Sequence, residues 1–332
     1  MSGISSRRRV SHAIAITALG LSLVAPTGAA VNVGSAAAAC QETPSNARVK
    51  AGANGVDPNT VSAAQARAMN RQLKAKAKKL AARGVVTKRG VPRKHWNKHK
   101  VVRVKTVVHV ITAEDGSGGV TVQQVRDQMK VINDGFRGVT SPDAAPTRFR
   151  FVLKRLHYVP NDDWFNWELN DDFTESEAAI EAKTTLHRGG WRTLNMYIAN
   201  LGSGLLGYAT FPQDGVLALD GVVLLNESLP GGTAAPYNEG DTATHEIGHW
   251  IGLFHTFQNG CDAPGDSVRD TPYQLDDINI FFCNESDDTC PQPGTDPVHN
   301  FMSYGDDPCL DQFTRGQNRR MVKTWFVFRA FR

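Results

Sequence analysis

His245-Glu246-Ile247-Gly248-His249-Trp250-Ile251-Gly252-Leu253-Phe254-His255 is an H-E-x-x-H-x-x-G-x-x-H segment. Positions i and i+4 of a helix share a face, so His245 and His249 present two imidazoles to one ion. Glu246 projects beside the first of them, near a water on that ion without being a ligand. Gly252, with no Cβ, reaches a positive φ that ends the helix, and the returning chain supplies His255 as a third nitrogen. Three histidines leave a fourth position open, which marks a reactive zinc rather than a structural one. Zinc lowers the pKa of its water toward about 7, and Glu246 takes the proton as that water attacks a polarised carbonyl. The same carboxyl then returns the proton to the leaving amine. The segment predicts peptide-bond hydrolysis without a covalent intermediate; hydrolysis of a non-peptide amide uses the same chemistry.

Outward from this helix, residues 101–111 (VVRVKTVVHVI), 148–158 (RFRFVLKRLHY), 194–199 and 221–225 read as strands, and residues 121–136 and 175–186 as helices. Such alternation predicts an α+β domain, a twisted mixed sheet backed by helices. Past Phe257 the periodicity fades and Gly, Asp, Pro and Cys dominate, a composition that needs staples to stay ordered. Cys261, Cys283, Cys290 and Cys309 lie there, which predicts two disulfides in one of three pairings. Their irregular spacing, with no Cys-x-x-Cys, argues against structural zinc.

The whole chain has 332 residues, 41% hydrophobic and 21% charged, which excludes a wholly disordered protein, and it has no apolar run long enough to span a bilayer. Its formal charge of +4 is a cancellation. Residues 1–40 carry Arg7, Arg8 and Arg9 alone; residues 41–100 carry 15 basic and 2 acidic side chains, +13; residues 101–332 carry 19 and 31, −12. The arginines, the apolar stretch 13–25 and the small-residue tract before Cys40 predict a signal peptide over residues 1–39 and therefore a secreted, extracellular protein. Residues 40–100 read as a basic pro-segment or linker, helical from Ala63 to Arg83 and exposed over residues 88–100, attracted to the acidic domain 101–332. A rival reading takes this segment as a polyanion- or cell-wall-binding module. The mature domain is expected to be a monomer with no membrane anchor and no nucleic-acid partner, acting on proteins or peptides.

The zinc segment together with Asn300-Phe301-Met302-Ser303-Tyr304-Gly305 resembles the metzincin zinc endopeptidases and their methionine turn. Residues 206–212 (LGYATFP), 220–223 (DGVV), 255–257 (HTF) and 265–272 (GDSVRDTP) narrow the resemblance to the pappalysin family, in its small ulilysin-like branch. The resemblance spans residues 100–332. It implies a metzincin-like domain with an active-site helix and an irregular, disulfide-stapled C-terminal subdomain. Met302 would form the base beneath the metal, and Tyr304 would steady the developing oxyanion. The strand at residues 220–225 would be the edge that pairs with substrate. The family's crossed pattern pairs Cys261 with Cys290 and Cys283 with Cys309. Asp262, Asp266, Asp270 and Thr271 would bind calcium. A zymogen would be held latent by a thiol, here Cys40. Asp306 and Asp307 would favour a basic residue after the cleaved bond, although Pro308 stands where an acidic side chain would complete that preference.

Overall fold

The computed structural model describes residue 50, residues 58–94, residue 97 and residues 100–332. The expected signal peptide over 1–39 and the candidate latency thiol Cys40 lie outside the described residues. A mixed sheet has the strand order β2-β1-β4-β6-β5: β1 is Val102–Thr112, β2 Phe149–Pro160, β4 Thr193–Leu201, β5 Gly207–Ala209 and β6 Val222–Leu225. A short β3, Asn166–Trp167, pairs with the end of β4. All pairings are parallel except β5 against β6.

The pleat sorts side chains by parity. On β4, Leu194, Met196 and Ile198 enter one apolar cluster while Tyr197, Ala199 and Leu201 enter the other. On β6, Val222 and Leu224 face one way and Val223 and Leu225 the other. Both faces of these strands are covered, which explains why they read as continuous apolar runs. The first face receives α2 (Val122–Arg137) and α5 (Asp241–Trp250). Helix α2 starts at a reciprocal Thr121/Gln124 capping box and stops at Gly138, which is left-handed at φ 64°. It buries Val125, Met129, Ile132 and Phe136, each worth about 1.5–3 kcal/mol in area removed from water. The second face receives α4 (Glu177–Leu186) through Ala179, Ala182 and Leu186, following the single-turn α3 (Asp162–Phe165).

Two features depart from the sequence expectations. The strand at 220–225 is not an edge: β6 lies between β4 and β5, and the edge belongs to β5. The region after Phe257 is not irregular throughout, because α6 (Arg315–Thr324) begins at a Thr314/Gln317 capping box and runs into a π-helix, Trp325–Ala330. The basic helix α1 (Ala63–Ala82) docks through an apolar stripe and through Asn70, which bonds to Ser267 and Arg320. Its Leu73, Ala77 and Leu80, with Val86 beyond it, join the main core, and among the described residues no ion pair links an α1 cation to the domain. Beyond α1, Val86 is fully buried and Val91 packs against that core, while Lys88, Arg89, Arg93, Lys94, Asn97 and Lys100 are exposed. Disulfides join Cys261 to Cys290 and Cys283 to Cys309 across the loops before α6.

Candidate metal centre

Helix α5 carries His245, Glu246 and His249, and all ten of its residues are buried. Its N-cap Gly240 sits at φ 99° and offers no side-chain cap. The cap comes from Asp307, whose Oδ2 accepts the backbone N–H groups of Glu239, Gly240 and Asp241 at 2.8, 3.0 and 3.4 Å. A carboxylate here satisfies donors that the helix cannot and places negative charge at the positive end of its dipole. At the other end Gly252, at φ 99°, lets the chain leave; a Cβ there would lie 2.6 Å from Thr324 Cγ2. Arg320 Nε donates to the Gly252 carbonyl.

The three imidazoles converge. His249 Nε2 lies 3.0 Å from His245 Nε2 and 2.9 Å from His255 Nε2, and the three residues are at most 2% exposed. His245 Nδ1 meets the Phe301 carbonyl at 2.6 Å and His249 Nδ1 meets the Leu253 carbonyl at 3.0 Å. A carbonyl only accepts, so these Nδ1 atoms carry the protons and the Nε2 lone pairs point at one another. Lone pairs so placed repel unless a cation lies among them, and neutral nitrogen donors with carbonyl-fixed tautomers suit zinc. The donor set fits that ion.

The chain on either side of the methionine turn completes the walls. Met302 is fully buried, and a Cβ on Gly248 would fall 2.3 Å from its sulfur, so the glycine inside the motif makes room for the methionine. Tyr304 stands edge-on to His255, centroids 4.9 Å apart, and 5.8 Å from His245. Phe257 stacks on His255 at 4.7 Å. Glu246 Cγ would be 3.1 Å from a Cβ on Gly207, which puts the carboxylate stem against edge strand β5. Behind the helix, Asp220 accepts two hydrogen bonds from Arg329, at 2.9 and 3.0 Å, and one from Trp250 Nε1 at 3.1 Å. Arg329 also donates to the Trp250 carbonyl and lies over its ring.

Other expected site residues are dispersed. Asp307 is 2% exposed, and its Oδ2 is engaged at the start of α5. Of the acidic loop, Asp262 is exposed, and Asp270 is spent at the start of α6 on the Thr314 hydroxyl and the Gly316 N–H. Asp266 is buried; its Oδ1 accepts from Val268 N–H, its Oδ2 has no partner, and desolvation pushes its pKa up to about 7. Among the described residues only two groups of His, Cys, Asp or Glu converge tightly enough for a metal: the three histidines, and Cys283, His299 and Cys309, whose thiols are in a disulfide. The contributions of Asp307, Gly248 and Gly207 were not anticipated from the sequence; the Asp-Pro-Cys turn after the methionine turn was the available signal for the first.

Comparison with known proteins agrees with this geometry. A family described as pregnancy-associated plasma protein-A matches residues 185–325. Extracellular metalloprotease 1 of Coccidioides posadasii is 39% identical over 236 residues, covering 69% of this chain and 79% of the relative. An extracellular metalloprotease of Verticillium alfalfae is 38% identical over 259 residues, 76% of this chain and 85% of the relative. Mature mirolysin of Tannerella forsythia, solved with a cleaved peptide, superposes with a TM-score of 0.55 at 25% identity, covering 69% of this chain and 96% of that one. A promirolysin variant superposes with a TM-score of 0.60 at 24% identity, covering 80% of this chain and 92% of that one.

Proposed function

Because this chain belongs to the pappalysin family of metalloproteases, we propose that it is a secreted zinc endopeptidase in which Glu246 is the general base. The observation that carries the reading is the convergence of three imidazoles, with His249 Nε2 within 3.0 Å of both His245 Nε2 and His255 Nε2 and two of the rings fixed by carbonyls on the opposite nitrogen. When bound by His245, His249 and His255, zinc supplies Lewis acidity toward the substrate carbonyl and acidifies water. Glu246 holds the proton taken from the attacking water and delivers it to the amine that leaves. The Tyr304 phenol donates to the oxygen that gains charge, a role that the buried position beside His255 supports. Met302 and the Asp307 cap keep α5 in place while charge develops. Secretion is supported by the leader-like residues 1–39 and by relatives named as extracellular; the chain acts as a monomer on proteins or peptides.

Residues 40–100 are read as a pro-segment. Promirolysin's wider coverage of this chain than mature mirolysin's supports this. Calcium would be a second ion, drawing on the buried Asp266 and Thr271. The rival polyanion reading has one observation in its favour: a cavity of about 1500 Å³ between α1 and α6, lined by Arg67, Arg71, Lys74, Arg319 and Lys323. Retention of the mature protein on a phosphate polymer, lost with rising salt, would select it.

The test is cleavage of casein by purified, processed protein with metal analysis alongside. Activity abolished by a chelator, restored by zinc, and absent in Glu246→Ala with zinc still bound is expected. Full activity in Glu246→Ala would overturn the mechanism.

A further inference from the structure

Edge strand β5 turns its backbone outward at alternate residues. Thr210 N–H donates to the Gly221 carbonyl and Leu225 N–H to the Leu206 carbonyl, so Leu206, Tyr208 and Thr210 face β6 while Gly207 and Ala209 face away from the sheet. At Ala209 both outward groups are taken by one side chain from far upstream. The Ala209 N–H donates to Asn59 Oδ1 at 2.7 Å, and Asn59 Nδ2 donates to the Ala209 carbonyl at 2.6 Å. A carboxamide offers the same donor and acceptor pair as a backbone residue of an added strand. Asn59 is 2% exposed.

Its flanks are fastened to the walls of the metal centre. The Val61 carbonyl accepts from Gln258 Nε2 at 2.9 Å, three residues past His255. Val61 and Met69 pack on the cluster of Ala66, Phe211 and Phe254, and Phe211 stands 5.4 Å from the His249 ring. Ser62 caps α1 immediately afterward, and Asn70 bonds to both Ser267 and Arg320. Upstream, Lys50 N–H donates to the Gly204 carbonyl just before β5.

We propose that Asn59 is a side-chain pseudo-strand: it fills the backbone edge that a substrate would take, and so holds the precursor latent independently of any thiol at Cys40. This rests on the protease reading and deepens it. Pairing through a side chain sets the segment's own main chain back from the line of a paired substrate, so the edge is occupied without a peptide bond being presented to the histidines. Removal of the segment, or loss of this one amide, reopens Ala209.

The experiment uses full-length precursor, intact by mass, as wild type, Asn59→Ala, Asn59→Asp and Cys40→Ser with and without Asn59→Ala. Cleavage of a quenched peptide is measured before and after the N-terminal segment is processed. Asn59→Ala is expected to raise precursor activity about tenfold or more, since two buried hydrogen bonds at one site are lost. Asn59→Asp sets a carboxylate against the Ala209 carbonyl and is expected to do at least as much. The increase persists in the Cys40→Ser background, and all processed enzymes agree in kcat/KM. A processed wild type that cleaves, beside an Asn59→Ala precursor as latent as wild type, overturns the clamp alone. A processed, zinc-loaded wild type that cleaves nothing overturns the protease reading and the clamp with it. Hydrogen exchange on full-length Glu246→Ala separates clamp from scaffold: adding Asn59→Ala should deprotect the Ala209 amide and leave the α1 amides protected, whereas loss of protection throughout α1 refutes a local clamp.

Discussion

Substituting Asp307 distinguishes a helix cap from a specificity charge. One oxygen of this carboxylate receives three backbone N–H groups at the start of α5, and the helix has no cap of its own. Losing a cap costs about 0.5–2 kcal/mol. Losing the negative charge from a partly buried helix N-terminus costs roughly a further 1–2 kcal/mol. Asp307→Ala should therefore destabilise by about 3 kcal/mol, and Asp307→Asn, which keeps one acceptor, by about half that. At this size the alanine variant should melt roughly 6–12 °C lower. Thermal unfolding of zinc-loaded precursors measures the first effect. Processed enzymes acting on paired peptides with Lys or Leu after the cleaved bond measure the second, and the ratio of kcat/KM values should not change. An unchanged Tm together with a collapse of the Lys preference would refute the cap and restore Asp307 to the substrate pocket.

Gly248→Ala gains about 1 kcal/mol of helix propensity but drives a Cβ to 2.3 Å from Met302 sulfur. Overpacking costs about 1–3 kcal/mol, so urea unfolding should show a net loss and metal content should fall; a stabilised variant would contradict the packing. Tyr304→Phe should lower kcat about 10²-fold with KM within a few-fold, and an unchanged kcat removes the phenol from the mechanism. Burial brings the His109 pKa down to about 4, with His157, His187 and Arg188 adding like charge. The unfolded chain then binds the extra proton between about pH 6.5 and 4, so stability falls with falling pH across that window, by about 3 kcal/mol at the bottom. A His109→Gln variant should lose that part of the acid slope in pH-dependent unfolding; an identical slope would exclude His109 as its source. Calcium chelation should lower the Tm of wild type but not of Asp266→Asn.

The zinc motif was legible because its chemistry fixes residue types at fixed spacing, and the long elements were legible because a core face imposes a period. What escaped had neither property. The β5 strand is three residues long and contains Gly207, too short for any alternation to register. The run at 222–225 reads as a strand correctly, yet its uninterrupted apolar character signals burial on both faces, an interior position and not an edge. Helix α6 carries a Thr-x-x-Gln cap, but its mean polarity and its setting among loops hid it. The basic segment illustrates a different limit: its dense charge masks the spacing of Leu73, Ala77 and Leu80, which enter the core. Asn59 sits in an Asp-Pro-Asn-Thr stretch that has the composition of an ordinary turn, and only the fold brings it to Ala209.

The Asp220–Arg329 pair has a consequence for the order of assembly. The zinc helix is backed by a guanidinium that lies 79 positions after Trp250, the residue whose carbonyl it holds, and 109 positions after the carboxylate it neutralises. A chain delivered N-terminus first would pass its three histidines through an export channel well before Arg329 arrived, with Asp220 buried nowhere and Trp250 unheld. On such a route a hydrolytic centre whose last support is so late in the sequence would stay unassembled for most of its passage, and the machinery that moves it would be spared its activity.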